Sequence, residues 1–188
     1  MKVFLVRHGE SETNKAHLWT GWMDVPLTEK GRADATLAGK VLAGVDFDRV
    51  YASDLIRAQA TAQIALSGYA YETTPLLREV NVGSIAGKPF DAVLDSEGKP
   101  RNTDGYAVFG GESTAEFRER IASFMRMLEK EQAENIAVFA HAGVLRTFLG
   151  LVLGEAVPIK KLLCKNCTVA VFEYRNGTWM LHSWINLD

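Results

Sequence analysis

The sequence contains few cysteines and no long apolar run. Two cysteines in 188 residues cannot provide the several disulfides that stabilise small secreted proteins. No apolar stretch reaches the roughly 18 residues needed for a membrane-spanning helix. The N-terminal residues also lack the charged, apolar and small-residue regions of a signal peptide. The sequence therefore predicts a cytoplasmic protein that has reduced thiols and does not bind a membrane.

The chain also lacks an excess of either charge. Its formal net charge is −2, which gives no general attraction for nucleic acid, so any anion site must be local. The hydrophobic fraction of 47% and the charged fraction of 23% are typical of a globular protein. The length, with no repeat or linker, predicts one domain over residues 1–188. We expect no nucleic-acid partner and either a monomer or a homodimer.

Short apolar runs alternate with amphipathic stretches along the chain. This alternation predicts an α/β three-layer sandwich with helices on both faces of a mostly parallel sheet. Asn176-Gly177 is a strong hairpin signal and predicts an antiparallel strand at the C-terminal edge. The sheet is expected to have about six strands, at residues 3–6, 49–52, 69–74, 136–140, 168–174 and 178–185.

Polar residues typical of N-caps precede three of the predicted helices. The candidates are Thr28 for a helix that ends near Gly44, Ser53 or Asp54 for the second, and Ser113 with Glu116, as a capping box, for the third. A fourth helix is predicted at residues 143–153 and ends at Gly154. Residues 11–27 are predicted as a loop. Residues 80–111 contain six glycines and two prolines and are predicted as an excursion or lid.

Two strands end in the same kind of residue. His8 follows the first strand and His141 follows the fourth, and parallel strands would bring both imidazoles to one edge of the sheet. Arg7 lies beside His8, and Arg57 lies in the first turn of its helix, within reach of the same edge. Arginine binds phosphate oxygens in a bidentate way, and a helix that starts after His141 would direct free N–H groups to this edge. The residues predict a pocket for a phosphate dianion.

Ordered blocks along nearly the whole chain resemble the histidine phosphatase superfamily, the phosphoglycerate-mutase-like proteins. The first is Leu-Val-Arg-His-Gly-Glu at residues 5–10, and the others are Asn14, residues 20–28 with Gly31, 53–58 with 61–62, 77–79 with Gly83 and Gly87, 110–113, 140–146 and 166–169. A lone Arg-His-Gly would be weak, but this many blocks in the family's order are a specific signal.

The resemblance implies a mechanism based on a covalent phosphohistidine. It assigns His8 as the nucleophile, Arg7, Arg57 and His141 as the groups that hold the phosphoryl oxygens, and Glu79 as general acid and base. By the same resemblance, further substrate contacts come from Asn14, Thr20, Gly21 and the backbone of Ala142. No metal or other cofactor is implied, since the arginines neutralise the charge. Many members carry Trp-Glu where this chain has Ile85-Ala86, so Glu79 is assigned from position alone.

Three functions are compatible with these residues. The first is a metal-independent phosphatase acting on a small phosphorylated metabolite, and the second is a cofactor-dependent phosphoglycerate mutase. The short chain favours hydrolysis, because only residues 80–111 could shield a phosphohistidine from water. The segment Thr20-Gly21-Trp22 favours the mutase. The third function, a module that only senses phosphorylated ligands, is disfavoured because the nucleophile and both arginines are present.

Two further groups of residues have side chains that can react or bind ligands. Cys164 and Cys167 precede a strand rather than open a helix, which favours buried free thiols over a redox pair. Five aromatic residues lie in the predicted loops and either line a specificity pocket or anchor these loops. They are Trp19, Trp22, Phe90, Tyr106 and Phe109.

Overall fold

The computed structural model describes residues 1–94, 104–154 and 161–187. Within these residues, one six-stranded sheet has the order β3-β2-β4-β1-β5-β6. The strands are β1 Lys2–Arg7, β2 Arg49–Ser53, β3 Glu72–Thr74, β4 Asn135–Ala140, β5 Val169–Arg175 and β6 Thr178–Ile185. The helices are α1 Glu12–Lys15, α2 Glu29–Leu42, α3 Ile56–Ala65, α4 Thr114–Leu128 and α5 Ala142–Leu153.

The pairing pattern confirms the predicted sheet. Strands β1 and β2 each run parallel to β4, and β3 runs parallel to β2. Strand β5 pairs antiparallel with both β1 and β6. The β5–β6 turn places Asn176 and Gly177 at φ values of 52° and 77°, as a two-residue hairpin of this kind requires.

Two apolar layers cover the two faces of the sheet, as predicted. Because strand side chains alternate between faces, Val138 of β4 packs with α4 and α5, whereas its neighbour Phe139 packs with α2 and α3. The same alternation separates Leu5 from Val6 on β1. The strand ends therefore remain as the places where polar side chains gather.

The helix boundaries confirm two of the three predicted caps. The Thr28 hydroxyl accepts from the N–H of Gly31, and Ser113 forms a capping box with Glu116. The prediction of Ser53 or Asp54 for α3 is wrong, because the N-cap is Leu55, which makes no side-chain cap bond.

The first turn of α3 is capped from a distant segment. The N–H of Ile56 donates to Asp24 Oδ1 at 2.8 Å, across 32 positions of sequence. Asp24 lies in the predicted loop at residues 11–27, so this contact ties that loop to the helix that carries Arg57. The same loop contains the unpredicted helix α1, which is too short for its periodicity to be detected.

Other boundaries differ slightly from prediction. Strand β3 covers Glu72–Thr74 only, and α5 begins at Ala142. In the predicted excursion, single 3-10 turns lie at Gly83–Ile85, Phe90–Val93 and Ala107–Phe109. Val82 and Ile85 are buried, so part of this segment joins the packed structure. Residues 95–103 of the predicted excursion lie outside the described residues.

Two predictions drawn from composition can be compared with the structure. Cys164 and Cys167 are free and buried, and they belong to the apolar layers on opposite faces of the sheet. Among the described helices, none has the length and apolar character needed to cross a membrane.

Candidate active site

The carboxyl ends of β1 and β4 meet in register. Arg7 pairs with Ala140, so the residues that follow, His8 and His141, lie side by side. Their ring centroids are 5.1 Å apart, with the rings edge to face, and both side chains are buried. The structure thus brings together the two histidines that the sequence placed at one edge.

The ring of His8 is held in one orientation. Its Nδ1 lies 2.7 Å from the carbonyl oxygen of Gly9, which can only accept, so Nδ1 carries the proton. Burial lowers the pKa of His8 well below its usual value, and the positive charges of Arg57 and Arg7 lower it further. His8 is therefore neutral near pH 7, with an unprotonated Nε2.

The main chain of His8 is fixed on both sides. Its N–H donates to Ala140 O at 2.9 Å, and its carbonyl accepts from Asn166 Nδ2 at 3.1 Å and from the N–H of Cys167 at 3.3 Å. These bonds connect the end of β1 to β4 and to the turn before β5. Three hydrogen bonds to the main-chain N–H and carbonyl of His8 therefore leave this residue little freedom to move.

Asn166 also orients a predicted substrate contact. Its second N–H donates to Asn14 Oδ1 at 3.1 Å, and the N–H of Ser11 donates to the same oxygen at 3.3 Å. Since the Asn14 oxygen is occupied by two donors, its NH₂ group is the free end of the amide. The sequence blocks contained Asn166 without a role for it. That block, residues 166–169, was the only signal that could have identified it.

The guanidinium of Arg57 is buried and held by backbone. It donates to Met23 O at 2.8 Å and to Gly21 O at 2.9 Å. Burial lowers its pKa to about 10. Gly21 has φ +51°, and a Cβ there would lie 2.6 Å from a methyl carbon of Val82. The positive φ and this close approach therefore require glycine at position 21. Its carbonyl holds Arg57, in addition to the substrate contact implied by the resemblance.

Arg7 and His141 complete a group of buried nitrogen atoms. Arg7 donates to the carbonyl of Cys164, and burial lowers its pKa. Burial, together with the charge of Arg57, lowers the pKa of His141 well below its usual value. In the described parts of the chain, the buried side-chain nitrogens without a hydrogen-bond partner are Arg7 Nε, Arg57 Nε, Arg146 Nε and both ring nitrogens of His141. Buried donors that lack partners are rare, and an anion beside Arg7, Arg57 and His141 would accept hydrogen bonds from them.

Glu79 lies at the N-terminus of α5. Its carboxylate accepts from the N–H of Gly143 at 3.1 Å and from the N–H of Val80 at 2.9 Å. A Cβ at position 143 would lie 2.1 Å from Glu79 Oε1, so only glycine leaves room for the carboxylate. Glu79 raises the pKa of Arg57, an effect opposite to that of burial. The predicted acid is therefore in the same site as the predicted cations.

Among the aromatic residues, Trp22 anchors a loop, and Trp19, Phe90 and Tyr106 pack together. Tyr106 is half-buried, and burial followed by the charge of Glu79 raises its pKa to about 12, so it adjoins the site as a neutral phenol. Trp19 packs edge to face on Tyr106 and Phe90. Trp22 instead anchors a loop, because its Nε1 donates to the carbonyl of Glu79 at 2.7 Å.

The remaining predicted contacts lie around these groups. The Thr20 hydroxyl is 2.6 Å from that of Thr13, in the segment that leads to Gly21. Ala142 is the first residue of α5, directly after His141. Among the described residues, no three His, Cys, Asp or Glu side chains are grouped so that they could hold a metal ion.

Comparison with known proteins identifies the family that the sequence blocks resemble. The profile described as "Histidine phosphatase superfamily (branch 1)" matches residues 3–187. A curated relative, the "Probable phosphoglycerate mutase GpmB" of Yersinia pestis (strain Pestoides F), is 31% identical over 98% of this chain and 90% of its own length.

Solved structures resemble the whole chain. A phosphoglycerate mutase from Bacillus anthracis superposes with a TM-score of 0.86 and is 26% identical, with 97% of this chain and 92% of that chain covered. A "putative alpha-ribazole-5'-P phosphatase" from Escherichia coli gives a TM-score of 0.84 at 26% identity, with 99% and 96% covered. The chain is therefore an enzyme that belongs to the histidine phosphatase superfamily, whose members are phosphatases or phosphoglycerate mutases.

Proposed function

We propose that the protein is a metal-independent phosphatase that hydrolyses a small phosphomonoester through a phosphohistidine on His8. The observation that carries this proposal is the contrast between His8 and its neighbours. His8 has a fixed tautomer that leaves Nε2 unprotonated, whereas Arg7, Arg57 and His141 have buried nitrogens without partners beside it. A nucleophile next to unsatisfied donors suits transfer of a phosphoryl group.

The first step forms the covalent intermediate. The lone pair of His8 Nε2 attacks phosphorus in line, a P–N bond forms and the ester P–O bond breaks. Glu79, protonated at this point, gives its proton to the leaving alkoxide, which departs as the alcohol. The charge that the imidazole gains is stabilised at Nδ1–H by the Gly9 carbonyl. Arg7, Arg57 and His141 stabilise the equatorial oxygens.

The second step releases phosphate. Glu79, now a carboxylate, takes a proton from water as the water oxygen attacks phosphorus, and the P–N bond breaks. His8 returns to its neutral form and Glu79 to its protonated form, so one phosphate and one alcohol are produced per water consumed. The free NH₂ of Asn14, the segment from Thr20 to Gly21, and the N–H of Ala142 are the further contacts proposed for the phosphoryl group.

A phosphoglycerate mutase is the second candidate. It would use the same intermediate but return the phosphoryl group to the reoriented substrate. The names of two similar proteins support it, and that of another supports a phosphatase. We favour hydrolysis because a mutase must keep water from the phosphohistidine, and the sequence predicts a single excursion, at residues 80–111, that would cover the pocket.

The test is a panel of phosphomonoesters assayed with chelator present. Released phosphate is measured for each ester, and isomerisation of 3-phosphoglycerate is measured in parallel. We expect hydrolysis that chelator does not reduce and that exceeds isomerisation. Isomerisation faster than hydrolysis would instead establish the mutase, and loss of activity in chelator would contradict the metal-independent mechanism.

A further inference from the structure

The block at residues 110–113 contains a glutamate that the proposed mechanism does not use. The Glu112 carboxylate accepts from Arg120 Nε at 2.8 Å and from Arg120 Nη2 at 2.7 Å. Both side chains are mostly buried, with 15% and 14% of their surface exposed. A buried bidentate pair of this kind is costly to form and strongly directional, so its remaining contacts are informative.

The remaining N–H donors of Arg120 bind backbone carbonyls of residues 76–79. Nη1 donates to Leu76 O at 2.9 Å and to Arg78 O at 2.8 Å, and Nη2 donates to Glu79 O at 3.2 Å. Together with the two bonds to Glu112, these contacts use all five N–H donors of an arginine. Arg120 thus fixes three carbonyl groups in the segment that ends at Glu79.

Glu112 fixes the backbone on the other side of Glu79. Its carboxylate accepts from the N–H of Asn81 at 2.7 Å, and its own N–H donates to Asn81 O at 2.9 Å. The main chain is therefore held at Arg78, directly before Glu79, and at Asn81, two residues after it. The Glu79 carboxylate meanwhile accepts from the first turn of α5, which sets the direction of the side chain.

We propose that Arg120, held by Glu112, is a positioning residue for Glu79 in the proton-transfer step. The inference rests on the proposed function, in which Glu79 is the general acid. Arg120 acts through the backbone of Glu79 and touches no reacting atom in this scheme. Proton transfer needs donor and acceptor within about 2.6–3.2 Å, and a displacement of about 1 Å can cost roughly 100-fold in rate. Lysine has no planar fork and could not hold the same carbonyls.

The test uses leaving groups that differ in their need for a proton. An alkyl phosphate must receive a proton as its alcohol departs, whereas 2,4-dinitrophenyl phosphate releases a stable phenolate. Because kcat/KM reports the steps up to release of the leaving group, it isolates the proton donation. For Arg120→Met we expect kcat/KM to fall about 100-fold on the alkyl ester and only a few-fold on the dinitrophenyl ester.

Matched variants distinguish a failure of this proposal from a failure of the proposed function. Glu79→Gln must show the same selective loss, at least as large. Glu112→Gln should give a smaller selective loss, because it weakens the hold on Arg120. Arg126→Met removes a cation from the same helix, where Arg126 pairs with Glu119 on the surface, and should leave both esters unaffected. Arg120→Lys keeps the charge, and if Arg120→Met fails to fold it carries the test with the same expected selectivity.

The outcomes are distinct. Equal losses on both esters for the Arg120 variants, with a selective loss for Glu79→Gln, would show that Arg120 has a structural role only and would overturn the inference. Equal losses for Glu79→Gln as well would show that Glu79 is not the acid, in which case the assignment in the proposed function fails first. Selective loss in both supports the positioning role.

Discussion

The ends of β1 and β4 have similar structures, but their two histidine rings differ in hydrogen bonding. The strands are adjacent and parallel, both imidazoles are buried, and both pKa values are lowered by burial and by Arg57. At the β1 end, a carbonyl fixes the proton on Nδ1 of His8. At the β4 end, neither ring nitrogen of His141 has a partner.

This difference suits two roles. A fixed Nδ1 proton gives His8 one defined lone pair, which a nucleophile needs. A ring without internal partners leaves both nitrogens of His141 for a ligand. When a phosphate dianion binds, its charge should raise the pKa of His141 and favour the doubly protonated, donating form. We therefore expect replacement of His8 and replacement of His141 to have different effects on catalysis.

Replacing the histidines should give the largest effects. For His8→Ala we expect kcat to fall roughly 10⁴-fold or more, because the covalent route is lost, and labelled substrate should no longer phosphorylate the protein. For His141→Ala we expect a loss of about 10²–10³-fold, because one donor to the phosphoryl oxygens is lost. Rapid-quench labelling and steady-state kinetics measure both. Phosphate release that survives in His8→Ala would exclude the phosphohistidine mechanism.

Replacing the glycine near each histidine should lower activity at one strand end and stability at the other. A Cβ at Gly143 meets Glu79 Oε1 at 2.1 Å, which a flexible side chain can relieve by moving. We expect Gly143→Ala to fold but to lose roughly 100-fold in kcat/KM, because the carboxylate is displaced. The variant is measured by kinetics and urea unfolding.

The matched control lies at the other strand end. A Cβ at Gly9 meets the carbonyl oxygen of Gly31 at 2.2 Å, and backbone cannot move aside. Gly9→Ala should therefore lower the free energy of unfolding by about 1–3 kcal/mol. A Gly143→Ala protein with wild-type activity would show that the position of Glu79 does not matter.

The amide of Asn166 gives a third way to test the β1 end. Asn166→Asp replaces its two donated hydrogen bonds, to His8 O and Asn14 Oδ1, with contacts between oxygen atoms. We expect a loss of about 1–3 kcal/mol in these interactions, seen as a rise of roughly 10-fold or more in KM, because the Asn14 amide can then turn its NH₂ away from substrate.

Asn186→Asp is the corresponding control, since Asn186 serves the same turn through Lys165 N and Thr168 Oγ1. Its Oδ1 acceptor is retained in aspartate, so we expect KM to stay unchanged. An equal rise in KM for both variants would mean that Asn166 only stabilises the turn.

Contacts close in sequence and the order of the strands were predictable, whereas single side-chain contacts between distant segments were not. The capping box of Ser113 spans three positions, and the Asn176-Gly177 turn joins neighbouring strands, so local sequence motifs alone revealed them. The shared edge of His8 and His141 followed from the parallel strand pattern. The cap of α3 was mispredicted, since its acceptor, Asp24, lies 32 positions away.

The supporting residues of the site were missed for the same reason. Asn166 contacts His8 across 158 positions, and Arg120 contacts Glu79 across 41. Each is an ordinary polar residue in its local sequence, and only folding determines its partners. The ordered family blocks indicated which groups are proposed to react, but they could not show what holds those groups in place.

The lowered histidine pKa values predict how stability depends on pH. Below about pH 6.5 the unfolded chain binds protons at these two histidines while the folded protein does not. Protons therefore favour the unfolded state, and the stabilisation is lost as the pH falls from the unfolded pKa toward the folded ones. Each histidine should contribute to this loss of stability as the pH falls below the unfolded pKa of about 6.5. His141→Gln should remove one such contribution from urea-unfolding curves. Saturating inorganic phosphate should flatten the wild-type dependence, because a bound dianion raises both folded pKa values. A wild-type dependence that phosphate leaves unchanged would show that the dianion does not bind between the two strand ends.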